Sequence, residues 1–241
     1  MTIIKLDAIG STNDFLKELS NKQHLENFTV VTAENQTGGK GQMGSVWYSE
    51  KGKNLIMSVL IKDFILNSNQ IFNINIVVSV AVIQALATLN VPYLSIKWPN
   101  DIMSDHFKIG GILIENSFKS DGSIYSIVGL GLNVSQTNFD HLPKASSLAL
   151  VCAFDFDKPQ LLLAIVENIR CNIKMWTSDS DLWSKYTQLL FKKNVPMNFE
   201  DNKHQKFIGI IKGVSADGRL KVAMQDGLEI DYNVKEIEML Y

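Results

Sequence analysis

Apolar and polar positions divide the chain before any single residue is considered. Residues 2–9, 28–33, 54–61, 94–98, 109–115 and 123–134 are short runs rich in Ile, Val and Leu, bounded by Gly, Asn, Asp or Pro. That is the pattern of β-strands. Between the third and fourth runs, residues 68–89 predict a buried helix around Ile76-Val77-Val78-Ser79-Val80-Ala81-Val82-Ile83. This apolar run is too short to span a bilayer, and Asn73, Asn75 and Gln84 flank it. Over 159–176, Leu162, Ile165, Val166, Ile169, Ile173 and Trp176 recur at helical spacing, with Pro159 suited to the first turn. Leu182, Tyr186, Leu189 and Leu190 predict another helix over 181–191. A short helix is predicted from Ser11-Thr12-Asn13-Asp14 to about Leu19, with Ser11 and Asp14 at capping-box positions and Phe15, Leu16 and Leu19 on the buried face.

After Lys192-Lys193-Asn194 the rhythm changes. Residues 207–213, 220–224 and 228–232 are closely spaced strands, and Asp217-Gly218 and Asp226-Gly227 are hairpin signals. The chain is therefore divided into residues 1–194 and 195–241, the second unit being a small antiparallel barrel or sandwich. No internal repeat or low-complexity tract interrupts this pattern.

Composition narrows the chemistry only slightly. With 46% hydrophobic and 20% charged residues and a net charge of −2, the chain has no global nucleic-acid footprint. Arginine occurs only at Arg170 and Arg219, so an anion bound by the first half must be met by lysine or by backbone N–H groups. Cys152 and Cys171 lack metal-site or redox spacing, and Met1-Thr2-Ile3-Ile4-Lys5-Leu6-Asp7 lacks the regions of a signal peptide. A cytoplasmic protein with reduced thiols is expected.

Four stretches carry candidate chemistry. Residues 36–47, Gln36-Thr37-Gly38-Gly39-Lys40-Gly41-Gln42-Met43-Gly44-Ser45-Val46-Trp47, hold four glycines in seven positions between two predicted strands. Glycines let a backbone approach a ligand and turn successive N–H groups toward an anion. The P-loop pattern is absent, and Gly39-Lys40-Gly41-Gln42-Met43-Gly44 has the dinucleotide spacing without a following helix. Lys97-Trp98-Pro99-Asn100-Asp101 ends a strand in an Asx-type turn that Trp98 should keep packed, holding a lysine and a carboxylate together. Phe107-Lys108-Ile109-Gly110-Gly111-Ile112-Leu113-Ile114-Glu115 and Val128-Gly129-Leu130-Gly131-Leu132-Asn133 each place two glycines in a strand, where something must come close to the backbone. Taken singly, each has a plain reading as a surface loop, a solvated ion pair or a weakened strand. Ser11-Thr12-Asn13 is likewise what a helix start looks like. His24, His106, His141 and His204 all lie outside these stretches, and no Ser-His-Asp or Cys-His arrangement is visible.

Ser11-Thr12-Asn13 and these four stretches, in this order, resemble biotin protein ligases over about the first 135 residues. The resemblance implies an α+β fold: a mixed, mostly antiparallel sheet flanked by helices, of the class II synthetase-like biotin–lipoate ligase kind. It also implies a small C-terminal SH3-like β-barrel. The implied activity is ATP-dependent attachment of biotin to one lysine of a biotin carboxyl-carrier protein, as in acetyl-CoA carboxylase, through biotinyl-5'-AMP. Biotin-binding positions are then Ser11, Thr12, Asn13, Gln36, Gly39, Lys108 and Gly111; ATP and adenylate positions are Gly39, Lys40, Gly41, Gln42, Trp47, Lys97 and Asn133. Lys108 would bridge the carboxylate and the α-phosphate, with Lys40 and the amides near it cradling the adenylate. Trp47 would stack on or wall off the adenine, and Asp101 would orient or deprotonate the carrier lysine. No all-protein metal cage is expected, and Mg²⁺ should arrive with the nucleotide near Asn133.

Where the family loop carries arginines, this chain has Lys40, Gln42 and Ser45, which shifts weight onto backbone amides and Lys108. No DNA-binding helix-turn-helix fits before Ser11, so a monofunctional ligase that binds neither nucleic acid nor membrane is expected. A homodimer through an exposed sheet edge is compatible with the family. The competing readings are a lipoate–protein ligase, a non-catalytic biotin- or nucleotide-binding regulator, and a plain interaction protein.

Overall fold

The computed structural model describes residues 1–176 and 181–241. Its organising element is a seven-stranded sheet in the order β1-β2-β3-β7-β6-β5-β4. The strands are β1 (Ile3–Ile9), β2 (Val30–Gln36), β3 (Leu55–Ile61), β4 (Leu94–Lys97), β5 (Asp101–Ser104), β6 (Phe107–Phe118) and β7 (Ile124–Leu132). β1 and β2 run parallel, joined by the crossover helix α1 (Thr12–Lys22); all other neighbours are antiparallel. The expected mixed α+β fold is the one observed.

β3 is the central strand, and all seven of its residues are buried, because both faces of the sheet are covered. On one face α1 packs through Leu16 with Val31, Leu60 and Ile127. On the other face lie α2 (Ile71–Thr88), α4 (Lys158–Met175) and α5 (Asp181–Gln188), with the short α3 (Leu148–Cys152) between β7 and α4. α2 is apolar nearly all round, as befits a helix enclosed by sheet and helices. It is long and apolar enough to cross a membrane by length and composition, yet most of it is buried inside this fold. Ser11 caps α1, its hydroxyl accepting from the Asp14 N–H, and Asp157 caps α4 in the same way.

Several elements differ from expectation. β5 replaces the first part of a turn: Lys97 pairs with Asp101 across a tight β4–β5 hairpin, so the turn is confined to residues 98–100. β6 runs well past its predicted bounds because it pairs along its length with β7. α3 has too few residues to show a helical period.

In the C-terminal region the strands β8 (Pro196–Asp201), β9 (Lys206–Val214), β10 (Leu220–Met224), β11 (Glu229–Tyr232) and β12 (Ile237–Leu240) form a sheet in the order β11-β10-β9-β8-β12. The expected closed barrel is not formed: among the described residues no ladder joins β11 to β12. The short link 233–236 nevertheless connects these opposite edges, which requires the sheet to curl. β12 pairs with β8, a register that no local turn signal specifies. One apolar core continues from the large sheet into this small one through Phe199, Ile211, Leu220, Val222 and Met239. Trp98 pins the contact, its indole N–H donating to the Gly218 carbonyl at 2.8 Å.

Candidate active site

One cavity of about 250 Å³ opens where α1 begins, above the glycines of β6 and β7 and under the 36–47 loop. It brings together Ser11, Thr12, Asn13, Gln36, Lys40, Gly41, Gln42, Trp47, Asp101, Lys108 and Gly111, residues far apart in sequence. Gly39, Lys97 and Asn133 are not in its wall. Gly39 stands at the base of the loop, where its carbonyl accepts from Trp47 N–H at 3.0 Å. Asn133 is buried, with its side-chain amide donating to the Ser146 carbonyl at 3.0 Å. Lys97 lies behind Asp101, as described below.

The cavity wall at α1 is made of polar, uncharged side chains, with the Glu115 carboxylate behind Asn13. Gln36 Oε1 accepts from the Thr12 backbone N–H at 2.9 Å and from its hydroxyl at 3.1 Å. Ser58 Oγ donates to Asn13 Oδ1 at 2.6 Å and lies 2.8 Å from Thr12 Oγ1. Asn13 Nδ2 in turn donates to Glu115 Oε2 at 2.8 Å. Gly129 exists for this contact, since a Cβ there would stand 2.4 Å from Asn13 Oδ1. Ser58 and Glu115 were not identified from sequence as site-supporting residues. Ser58 was visible only as the lone hydroxyl in an otherwise apolar strand.

The opposite end is charged. Lys108 Nζ lies 2.6 Å from Asp101 Oδ1, while Lys97 Nζ lies 3.8 Å from Asp101 Oδ2. Sheet register makes this possible: Lys97 and Asp101 face each other across the β4–β5 hairpin, and β5 pairs with β6, which carries Lys108. Burial pushes the Lys97 ammonium below its ordinary range, opposed by the Asp101 carboxylate and reinforced by Lys108 and Lys144. The turn is braced by Asn100, which bonds Ile112 through both side chain and backbone.

The glycine-rich loop folds into a small hairpin over the cavity. Gly41 N–H donates to Ser45 O at 2.7 Å, and Met43 and Gly44 take left-handed backbone conformations at its tip. Lys40 is tied back to Asp14 at 2.7 Å; this hydrogen bond holds its ammonium above the ordinary lysine range. The Trp47 indole lies flat against the glycines of the sheet: a Cβ at position 131 would stand 2.4 Å from its Cε2. Its Nε1 is buried without a hydrogen-bond acceptor, and Lys108 Nζ lies 5.6 Å from its ring centroid. An anion near Lys108 would therefore meet its ammonium beside a ring whose indole donor is unused.

Comparison with known proteins agrees with this geometry. A sequence profile of the Biotin/lipoate A/B protein ligase family matches residues 6–133. The chain is 29% identical to the bifunctional ligase/repressor BirA of Bacillus spizizenii, over 98% of this chain and 74% of that protein. It is 26% identical to the biotin–[acetyl-CoA-carboxylase] ligase of Mycobacterium tuberculosis, over 90% of this chain and 82% of that protein. Among solved structures, the biotin protein ligase from Aquifex aeolicus in complex with biotin and ATP superposes with a TM-score of 0.80, at 24% identity, covering 99% of this chain and 98% of that one.

Proposed function

Because the chain belongs to the biotin/lipoate A/B protein ligase family, we propose that it couples ATP to the biotinylation of a carrier-protein lysine. The observation that carries this reading is the convergence of the sequence motifs on one cavity with a neutral, hydrogen-bonding end and a lysine-rich end. A biotin ureido ring needs donors and acceptors without charge, which Ser11, Thr12, Asn13 and Gln36 supply. Its carboxylate and the α-phosphate are both anions, and bringing them together requires fixed positive charge in a site with little water.

In the first step a carboxylate oxygen bonds to the α-phosphorus, and the bond from that phosphorus to the bridging oxygen breaks. The electron pair leaves on pyrophosphate, giving biotinyl-5'-AMP. Lys108 bridges the two anions. Lys40, Gln42 and the amides around Gly39 and Gly41 hold the adenylate, and Trp47 flanks the adenine or closes its side of the pocket. In the second step the carrier lysine attacks the mixed anhydride, AMP leaves, and Asp101 orients the amine or takes its proton. Closure of the 36–47 hairpin limits hydrolysis of the intermediate.

Mg²⁺ enters with the triphosphate. Among the described residues no three His, Cys, Asp or Glu side chains converge, and phosphate oxygens would be the donors that suit this hard cation; Asn133, named for it from the sequence, is buried outside the cavity wall. We assign residues 195–241 as an SH3-like module that helps dock the carrier, with its boundary after Asn194.

The test is to incubate the chain with biotin, MgATP and a carrier domain and weigh the carrier intact. One biotinyl increment is expected. No gain at saturating substrates would leave a binding protein, and a gain with lipoate but not biotin would make it a lipoate ligase.

A further inference from the structure

The glycine-rich loop over the cavity is tied to two regions of the molecule. Near its base Gly38 N–H donates to the Gly10 carbonyl at 2.8 Å, and Lys40 reaches back to Asp14, so that flank belongs to the large sheet and α1. The tip is held from the C-terminal region. There Lys235 Nζ donates to the Met43 carbonyl at 2.8 Å, across 192 positions of sequence.

The surrounding bonds fix this contact. Lys235 lies in the link 233–236 between the opposite edges of the small sheet. Glu236 accepts from the Asn233 backbone N–H at 2.7 Å and from its side-chain amide at 3.0 Å, and Asn202 N–H donates to the Glu236 carbonyl at 3.0 Å. Lys235 and Met43, the residues that meet, both take left-handed backbone conformations, at φ 69° and 54°. Such a conformation is unfavourable for a residue with a Cβ and persists where its neighbours hold it. Inside the loop the Gln42 and Ser45 carbonyls are engaged by the Ser45 hydroxyl and the Gly41 N–H. Gln42 also lines a second cavity of about 310 Å³, whose wall includes Asp217, Gly218 and Val234. The loop thus lies across the junction between the large sheet and the C-terminal region.

We propose that Lys235 is a positioning residue whose ammonium latches the tip of the 36–47 loop, so that the C-terminal region sets how long an acyl-adenylate stays enclosed. This rests on the ligase reading above. Positions 42, 43 and 45 carry no charge, so the tip has no ion pair of its own. Freed from Lys235, the loop stays attached at its base and opens more often. Water then attacks the mixed anhydride, returning biotin and AMP, while the chemistry in the enclosed state is kept.

Lys235 is exposed, so replacing it leaves the core intact. Lys235→Met keeps the stem without the donor, and Lys235→Arg keeps a donor. With biotin and MgATP but no carrier, the steady rate of AMP release reads the loss of the intermediate. It should rise about fivefold in Lys235→Met, the scale of one hydrogen bond, and return most of the way in Lys235→Arg. Single-turnover transfer from the enclosed adenylate to a carrier domain should stay within about twofold of the unsubstituted chain, since Lys235 touches no reacting atom. An unchanged rate of AMP release, an equal loss in transfer, or a Lys235→Arg rate as high as that of Lys235→Met overturns the latch. Hydrogen exchange in the free chain provides the independent arm. The Gly41 and Ser45 amides, bonded within the loop, should exchange about fivefold faster in Lys235→Met, with β8 and β12 unchanged. That result supports the latch even if biotin and MgATP yield no adenylate, in which case the ligase reading alone has failed. Equal exchange in both proteins, or faster exchange throughout the C-terminal region, overturns the latch.

Discussion

The two ends of the cavity are built on different physical terms. At the α1 end Ser11, Thr12, Asn13 and Ser58 are all nearly inaccessible, and their hydroxyls and amides are bonded to one another, to Gln36 and to Glu115. At the β5–β6 end Asp101, Lys97 and Lys108 keep 17%, 22% and 35% of their side-chain surface, with more cations than carboxylates. A satisfied neutral network fixes shape and discriminates by leaving wrong partners unpaired. A surplus of partly wetted charge lowers the barrier to a reaction between anions. Recognition and activation are thereby separated along one pocket, and each can be attacked without the other.

The largest break is expected at the charged end. Lys108→Ala should lower adenylate formation by about 10²–10³-fold or more while the thermal midpoint holds; unchanged exchange activity would remove Lys108 from the mechanism. At the α1 end, Asn13→Ala removes one hydrogen-bond partner from Ser58 and one from Glu115, which keep Thr12 and Lys17 beside them. It should weaken biotin by more than tenfold and lower stability by about 2 kcal/mol, leaving KM for ATP nearly unchanged. A matched loss in ATP binding would erase the separation of the two ends.

Trp47→Ala should weaken ATP by about tenfold and biotin by less, on the scale of one buried ring contact; equal effects on both would contradict a nucleotide-side role. Lys97→Met tests the strain at the charged end. Its folded pKa is depressed by burial, so the ammonium destabilises the fold fully below that lowered value, and the penalty disappears as pH climbs to the ordinary value of 10.5. The substitution should therefore raise the melting midpoint by roughly 2 °C near pH 7 and not near pH 10.5, while reducing exchange. A lower midpoint at pH 7 would mean the ion pair with Asp101 outweighs desolvation.

The smallest effect is expected at Lys40. Its pKa is raised by Asp14, so that pairing is intact below the unfolded value and lost only as pH rises through the folded one. Lys40→Arg should leave the shape of the pH–activity profile between about pH 6 and 9 unaltered; a shifted limb in that range would reassign the titration.

How much of this was legible in the sequence depends on the range of the interactions. The strands of the large sheet and its long helices were readable because burial of one face imposes a period on neighbouring residues. Lys108, Asp101 and the glycine loop stood out because their residue types at short spacing are unusual for purely structural segments. Ser58, Glu115 and Lys235 did not stand out. Each looks ordinary among its neighbours and acquires meaning only from a residue tens of positions away, as Ser58 does from Asn13 and Lys235 from Met43. β12 escaped for the same reason, since its partner β8 is brought to it by the curl of the sheet.

By itself, the sequence determined most strands of the large sheet and its long helices, which glycines must admit a neighbour, and that lysine rather than arginine meets any anion in the first half. Those are properties of short stretches, set by side-chain volume, backbone freedom and charge. Only the tertiary structure decided that Trp47 fills the space left at Gly131, that Asn13 rests on Gly129, and that Lys97 and Lys108 share Asp101. Such pairings depend on sheet register and on what covers each face, and a one-residue slip would turn every one of those side chains away.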